Sequence, residues 1–120
     1  MKLRDIKKLL EAEVIWGEDS LDMEIGFAGG SDLMSDVLAF SKPGILLLTG
    51  LSNAQTVRTA NIIEAKAIIY VRGKKPDAIG TKMAEAIGIP ILSTKYMMYK
   101  TCGILYAAGL PGVSDLEEAG

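Results

Sequence analysis

Leu3, Ile6, Leu9 and Leu10 recur at helical spacing with Lys7, Lys8 and Glu11 on the other side, which predicts an amphipathic helix over residues 3–12. Val14-Ile15-Trp16 reads as a short strand closed by Gly17. After the polar turn Glu18-Asp19-Ser20, the alternation from Met23 to Phe27 predicts a second, half-exposed strand that Gly29-Gly30 ends. Ser31 or Asp32 then offers a side chain to cap a helix carrying Leu33, Met34, Val37 and Leu38, which Lys42-Pro43-Gly44 stops.

The pattern changes at Ile45. Ile45-Leu46-Leu47-Leu48-Thr49 is apolar without alternation, as a strand covered on both faces must be, and Ala67-Ile68-Ile69-Tyr70-Val71 and Ile89-Pro90-Ile91-Leu92 repeat it. Amphipathic helices separate the runs. Asn53 opens one with Ala54, Val57, Ala60 and Ile63 inward, and Asp77 caps the other, which contains Ile79, Met83 and Ala86. Ser93 or Thr94 is placed to cap a last helix through Met97, Met98, Cys102 and Leu105, stopped by Gly109 and Pro111. Consecutive βαβ units predict an α/β domain: a small, mainly parallel sheet with flanking helices and right-handed crossovers, carrying Val14-Ile15-Trp16 or Met23 to Phe27 at one edge. Residues 1–111 are expected to form this single domain and the acidic residues 112–120 a flexible tail.

Length and composition narrow the function. A chain of 120 residues supports one core, and with 49% hydrophobic and 23% charged residues it is not disordered by charge excess. A net charge of −2 with both signs interspersed gives no field for a nucleic-acid backbone. No apolar run approaches the roughly 18 residues that span a bilayer, and the start lacks a signal peptide's apolar stretch, so neither a membrane partner nor export is expected and the location is cytoplasmic. The chain has no histidine and one cysteine, so Ser-His or Cys-His catalysis and the usual zinc sites cannot be assembled within it. Cys102 is then a structural thiol, and no cofactor or metal is expected. Asp32 and Asp36, one helical turn apart, leave one alternative, a metal-dependent enzyme; a cap and a solvated carboxylate are the commoner fate of such a pair.

Open parallel sheets bind ligands beyond the carboxyl ends of their strands. The turns there are Thr49-Gly50-Leu51-Ser52-Asn53, Arg72-Gly73-Lys74-Lys75 and Ser93-Thr94, each leading into a helix whose free N–H groups attract anions. Thr49, Gly50, Asn53, Arg72, Gly73, Ser93 and Thr94 are therefore the candidate ligand-binding residues, on the expectation that the helix N-termini converge beside Arg72. No Gly-x-x-x-x-Gly-Lys-Ser/Thr loop occurs, so any phosphate is held without that cradle. The same glycines and polar residues also suit tight turns for backbone reasons alone. Tyr96, Met97, Met98, Tyr99, Leu105 and Tyr106 give the last helix more apolar surface than one buried face needs, which predicts a homodimer with Met98 and Tyr106 in the contact.

Ser31-Asp32-Leu33-Met34-Ser35-Asp36-Val37, the strand ending Leu48-Thr49-Gly50, Ala67-Ile68-Ile69 followed by Gly73 and Pro76, and Gly88-Ile89-Pro90-Ile91-Leu92-Ser93-Thr94 occur in one order over nearly the whole chain. In this order they resemble the DRTGG-domain family, which is similar to the N-terminal domain of HPr kinase/phosphorylase and occurs beside CBS domains in some pyrophosphatases. The resemblance implies a non-catalytic regulatory or accessory domain, and together with the turns and the last helix above it gives the expectation of a dimeric regulatory or ligand-sensing domain that binds a small anionic ligand, such as a nucleotide, or a partner enzyme. The alternative it allows is a structural accessory subunit of a cytoplasmic enzyme complex with no ligand.

Overall fold

The computed structural model describes residues 1–119. Helices α1 (Leu3–Leu9), α2 (Met34–Phe40), α3 (Ala54–Ile62), α4 (Ala78–Ile87), α5 (Met98–Ala107) and α6 (Val113–Ala119) alternate with strands β1 (Glu13–Trp16), β2 (Ala28–Gly30), β3 (Leu46–Thr49), β4 (Ala67–Tyr70) and β5 (Ile91–Ser93). The strands form one sheet in the order β1-β5-β4-β3-β2, with β2 to β5 mutually parallel and β1 antiparallel to β5. This is the expected mainly parallel α/β sheet.

The parallel strands step across the sheet in one direction, so right-handed crossovers place α2, α3 and α4 on the same face. Burial follows that rule. Successive side chains of a strand point to opposite faces, which sends Leu46, Leu48, Ile69 and Leu92 into a core with Leu3, Ile6, Leu10 and Leu105 from α1, its C-cap and α5. Leu47, Ile68, Tyr70 and Ile91 enter the other core, with Met34, Val37, Val57, Ala60 and Ala84 from α2, α3 and α4. Every residue of β3 and β4 is buried because both faces are covered, and that is why their sequences do not alternate.

Asn53 and Asp77 cap α3 and α4 as expected, accepting from the Gln55 N–H at 3.1 Å and the Gly80 N–H at 2.7 Å. Other boundaries differ. Strand β2 is Ala28–Gly30, so the glycine pair forms the strand instead of ending one at Met23 to Phe27. A Cβ on Gly29 would stand 2.9 Å from Ile45 Cδ1, and one on Gly30 would stand 3.0 Å from Met98 Sδ, so this edge has room for backbone only. Met23 and Ile25 instead run beside the chain start, through Leu3 N–H to Met23 O at 3.0 Å and Ile25 N–H to Met1 O at 2.7 Å. Helix α1 stops at Leu9. Neither Ser31 nor Asp32 caps α2, whose N-cap is Leu33, and neither Ser93 nor Thr94 caps α5, whose N-cap is Met97. Residues 113–119, read from the sequence as part of a flexible tail, are helical in α6.

The Tyr70 hydroxyl is buried in the second core with no hydrogen-bond partner among the described residues. Burial, with the nearby Asp77 carboxylate, pushes its pKa strongly upward. An unpaired buried hydroxyl carries its desolvation cost without return, so Tyr70→Phe is expected to raise stability by about 1 kcal/mol in urea unfolding. A loss of similar size would show that the hydroxyl is satisfied after all.

Candidate functional site

Strand β3 ends at Thr49 and β4 at Tyr70, and the turns that follow meet at one end of the sheet. Asp32, in the loop between β2 and α2, reaches across to both. Its Oδ1 accepts from the Gly50 N–H at 2.6 Å and from Thr49 Oγ1 at 3.2 Å. Its Oδ2 accepts from Arg72 Nη1 at 3.0 Å. Arg72 Nη2 donates to the Gly50 carbonyl at 3.3 Å, so the guanidinium lies flat over Gly50. A Cβ at position 50 would sit 2.5 Å from Nη2 and 2.6 Å from Cζ, which is why only glycine allows this approach. Arg72 itself has a left-handed backbone, φ +60, fixed by its N–H to Tyr96 O at 2.8 Å and by Gly73 N–H to Thr94 O at 2.9 Å.

The Gly50 N–H aimed at Asp32 does most to hold its carboxyl below the usual range. Partial burial opposes this, and Arg72 and Thr49 add to the lowering. A depressed folded-state pKa means that the charged form stabilises the fold above the unfolded value, and that this contribution is lost as the pH falls below about 4. Asp32→Asn should therefore lower the urea midpoint more at neutral pH than at acid pH, where the native carboxyl takes up its proton. Equal midpoints at both pH values would remove the charge of Asp32 from the balance.

The other candidate residues occupy different roles. Ser93 Oγ donates to Lys74 O at 2.6 Å, and the buried Thr94 Oγ1 donates to Leu10 O at 2.7 Å and accepts from the Tyr96 N–H at 3.3 Å. Both hydroxyls tie loops together. Asn53 is exposed at the start of α3, and Gly73, φ +70, is exposed in the turn after β4. The sheet divides the three helix N-termini expected to converge: the start of α4 lies against the turn before α3, through Asp77 N–H to Ser52 O at 3.2 Å, while α5 begins just after Tyr96, whose carbonyl accepts from the Arg72 N–H. Strands β3, β4 and β5 are parallel neighbours, but α3 and α4 pack on one face and α5 on the other. The α4 N-terminus, moreover, is closed by the carboxylate of Asp77. A sheet whose parallel strands step one way also lacks the reversal of strand order that opens a crevice.

Asp32 does not join Asp36 on a helix, as the alternative of a metal-dependent enzyme needs. Asp36 is exposed in α2 and Asp32 is engaged by Arg72. Among the described residues no group of three or more Asp, Glu or Cys could hold a metal ion. The sequence named Thr49, Gly50 and Arg72 but gave Asp32 a different role, because its partners lie 17, 18 and 40 positions away and no local spacing signals them.

At the outer edge of β2, a cavity of about 390 Å³ is lined by Gly30, Leu48, Cys102, Tyr106, Pro111 and Val113, among others. Burial pushes the Cys102 thiol up, away from the reactive thiolate. On the solvent side of α5, Tyr99 is 91% and Tyr106 64% exposed.

No protein-family model matches the chain, and no curated protein matches its sequence. A solved structure shares its fold: the CBS and DRTGG domains of the regulatory region of Clostridium perfringens pyrophosphatase, complexed with the activator diadenosine tetraphosphate. The two superpose with a TM-score of 0.73 at 16% identity, over 87% of this chain and 45% of the other. This chain thus corresponds to less than half the length of that structure. Its fold is DRTGG-like, a five-stranded, mostly parallel sheet flanked by helices.

Proposed function

We propose that this protein is a non-catalytic regulatory domain that senses a small anionic ligand, such as a nucleotide, at the carboxyl ends of β3 and β4, and passes the signal to a partner enzyme in the cytoplasm. The observation that carries this reading is Arg72, fixed by its backbone in the turn after β4, with its guanidinium laid over Gly50 beside the turn that leads into α3. Thr49, Gly50 and Arg72 are the ligand contacts in this reading, with Asn53 and Gly73 at the margin, whereas Ser93 and Thr94 shape the loops. The shared fold with a nucleotide-activated regulatory region supports it.

The same reading makes the protein a homodimer through α5. Tyr99, Gly103 and Tyr106 form an exposed stripe that would pair across a two-fold axis.

Calorimetric titration with AMP, ADP, ATP and diadenosine tetraphosphate tests the ligand. Arg72→Ala should weaken binding by about 1.5–3 kcal/mol, the range for hydrogen bonds to charged groups. Equal affinity for wild type and variant would remove Arg72 from the site. No binding by the wild type would leave the accessory subunit without a ligand as the better reading. A monomeric mass in light scattering at micromolar concentration would remove the dimer.

A further inference from the structure

Three donors of unlike origin, a backbone N–H, a hydroxyl and a guanidinium, converge on the single carboxylate of Asp32. Such a set is what an anion site consists of: an N–H and an O–H fix one oxygen, and an arginine brings the charge and grips a second. We propose that Thr49, Gly50 and Arg72 form a carboxylate- or phosphate-binding seat that the chain fills with its own Asp32, and that an anionic ligand binds there by displacing this side chain. The inference rests on the anion-sensing reading above and adds to it the competitor that the ligand must replace.

The seat is built to outlast the departure of Asp32. Thr49 is fully buried at the end of a central strand, and the Gly50 N–H is fixed by its place directly after that strand. The Arg72 backbone is pinned to the loop after β5, and its Nη2 keeps a bond to the Gly50 carbonyl that does not involve Asp32. Asp32, by contrast, lies on the solvent side. Its side chain is 44% exposed, and it belongs to neither β2 nor α2. Rotation about its side-chain bonds withdraws the carboxylate into water with the backbone in place, leaving the three donors open to another anion. The carboxylate also has charge complementarity that a ligand must match. The seat therefore selects for oxyanions with at least two acceptor oxygens and rejects neutral molecules.

The filled seat acts as a threshold. An internal carboxylate has a high effective concentration next to its donors, so a dilute monovalent anion does not displace it, whereas a ligand with several charges and further contacts can. When one does, the β2–α2 loop is released from the ends of β3 and β4. That is a local structural change through which occupancy could be read by a partner.

The test is titration with inorganic phosphate of wild type, Asp32→Ala and Asp32→Asn, each checked by circular dichroism, with binding read from chemical shifts of the Gly50 and Arg72 amides. Asp32→Ala vacates the seat and should bind phosphate at least tenfold more tightly than wild type, with the Gly50 amide shifting most. Adding Arg72→Ala to Asp32→Ala should abolish the gain. Asp32→Asn, closer in shape to the native residue, keeps the measurement available if the alanine variant fails to fold, and should bind more tightly than wild type by a smaller factor. Equal phosphate affinity in wild type and both variants would overturn displacement by Asp32 while leaving an anion site in place. No phosphate binding by any of the three would overturn the seat itself. Nucleotide titration of the wild type stands apart from these outcomes, so failure of the sensing reading alone is recognisable as tight phosphate binding by Asp32→Ala with no wild-type response to nucleotides.

Discussion

Met98→Glu is expected to destabilise the protein by about 1 kcal/mol or more, because it exchanges a partly buried apolar side chain packed on the core for a carboxylate. Met98 begins α5, and its side chain packs against the core on the α1 face, with the sulfur 3.0 Å from where a Gly30 Cβ would stand. Tyr106→Glu, eight residues on and 64% exposed, should stay within about 0.5 kcal/mol of wild type in the fold while splitting a dimer formed through α5. The sequence put both residues in the contact because both are apolar and on one helix. Tyr106 is exposed, whereas Met98 is partly buried against the core. Urea unfolding separates the two effects, and light scattering at several concentrations reads the dimer. If Met98→Glu unfolds with the wild-type midpoint, the residue is not part of the core. A Tyr106→Glu protein with unchanged mass would move the interface elsewhere.

Gly17→Ala is expected to cost about 3 kcal/mol, from two sources that add. Gly17 has φ +99, which an L side chain rarely adopts, and its added Cβ would stand 2.8 Å from both Cα and Cβ of Pro90. Pro90 immediately precedes β5, and β5 is the strand that β1 joins through Glu13↔Ser93 and Val14↔Leu92. Relief of the clash must therefore come from the backbone of a sheet edge. Gly88→Ala supplies the control. Gly88 also has positive φ, +81, but nothing lies within 4 Å of its Cβ position, so only the conformational part, about 1 kcal/mol, should appear. Thermal melts of the two variants measure the difference, and equal losses would show that the approach of Gly17 to Pro90 carries no cost.

What the sequence determined by itself was local in origin. The runs at Ile45–Thr49, Ala67–Val71 and Ile89–Leu92 announced strands covered on both faces, Asn53 and Asp77 announced the caps of the helices between them, and the handedness of βαβ units made those strands parallel neighbours. Of the candidate site, Thr49, Gly50 and Arg72 followed from the same pattern, since turns after buried strands can be located from the strands. The tertiary structure decided whatever depends on residues far apart in the chain. Gly29-Gly30 has the composition of a break, yet it forms an edge strand, because Ile45 and Phe40 on one face and Met98 on the other leave no space for a Cβ. Ser93 and Thr94 have the composition of a helix cap, yet their hydroxyls are spent on Lys74 and Leu10, which the sheet brings alongside. Asp32 had the spacing of a helix cap and the company of Asp36. It became the counter-ion of Arg72 because β2 pairs with β3, and β3 with β4, which sets a loop after the first beside turns after the other two. Hydrophobic periodicity reports which face of an element is buried; which side chains meet at the end of a sheet is fixed by strand order, and strand order is a property of the whole chain.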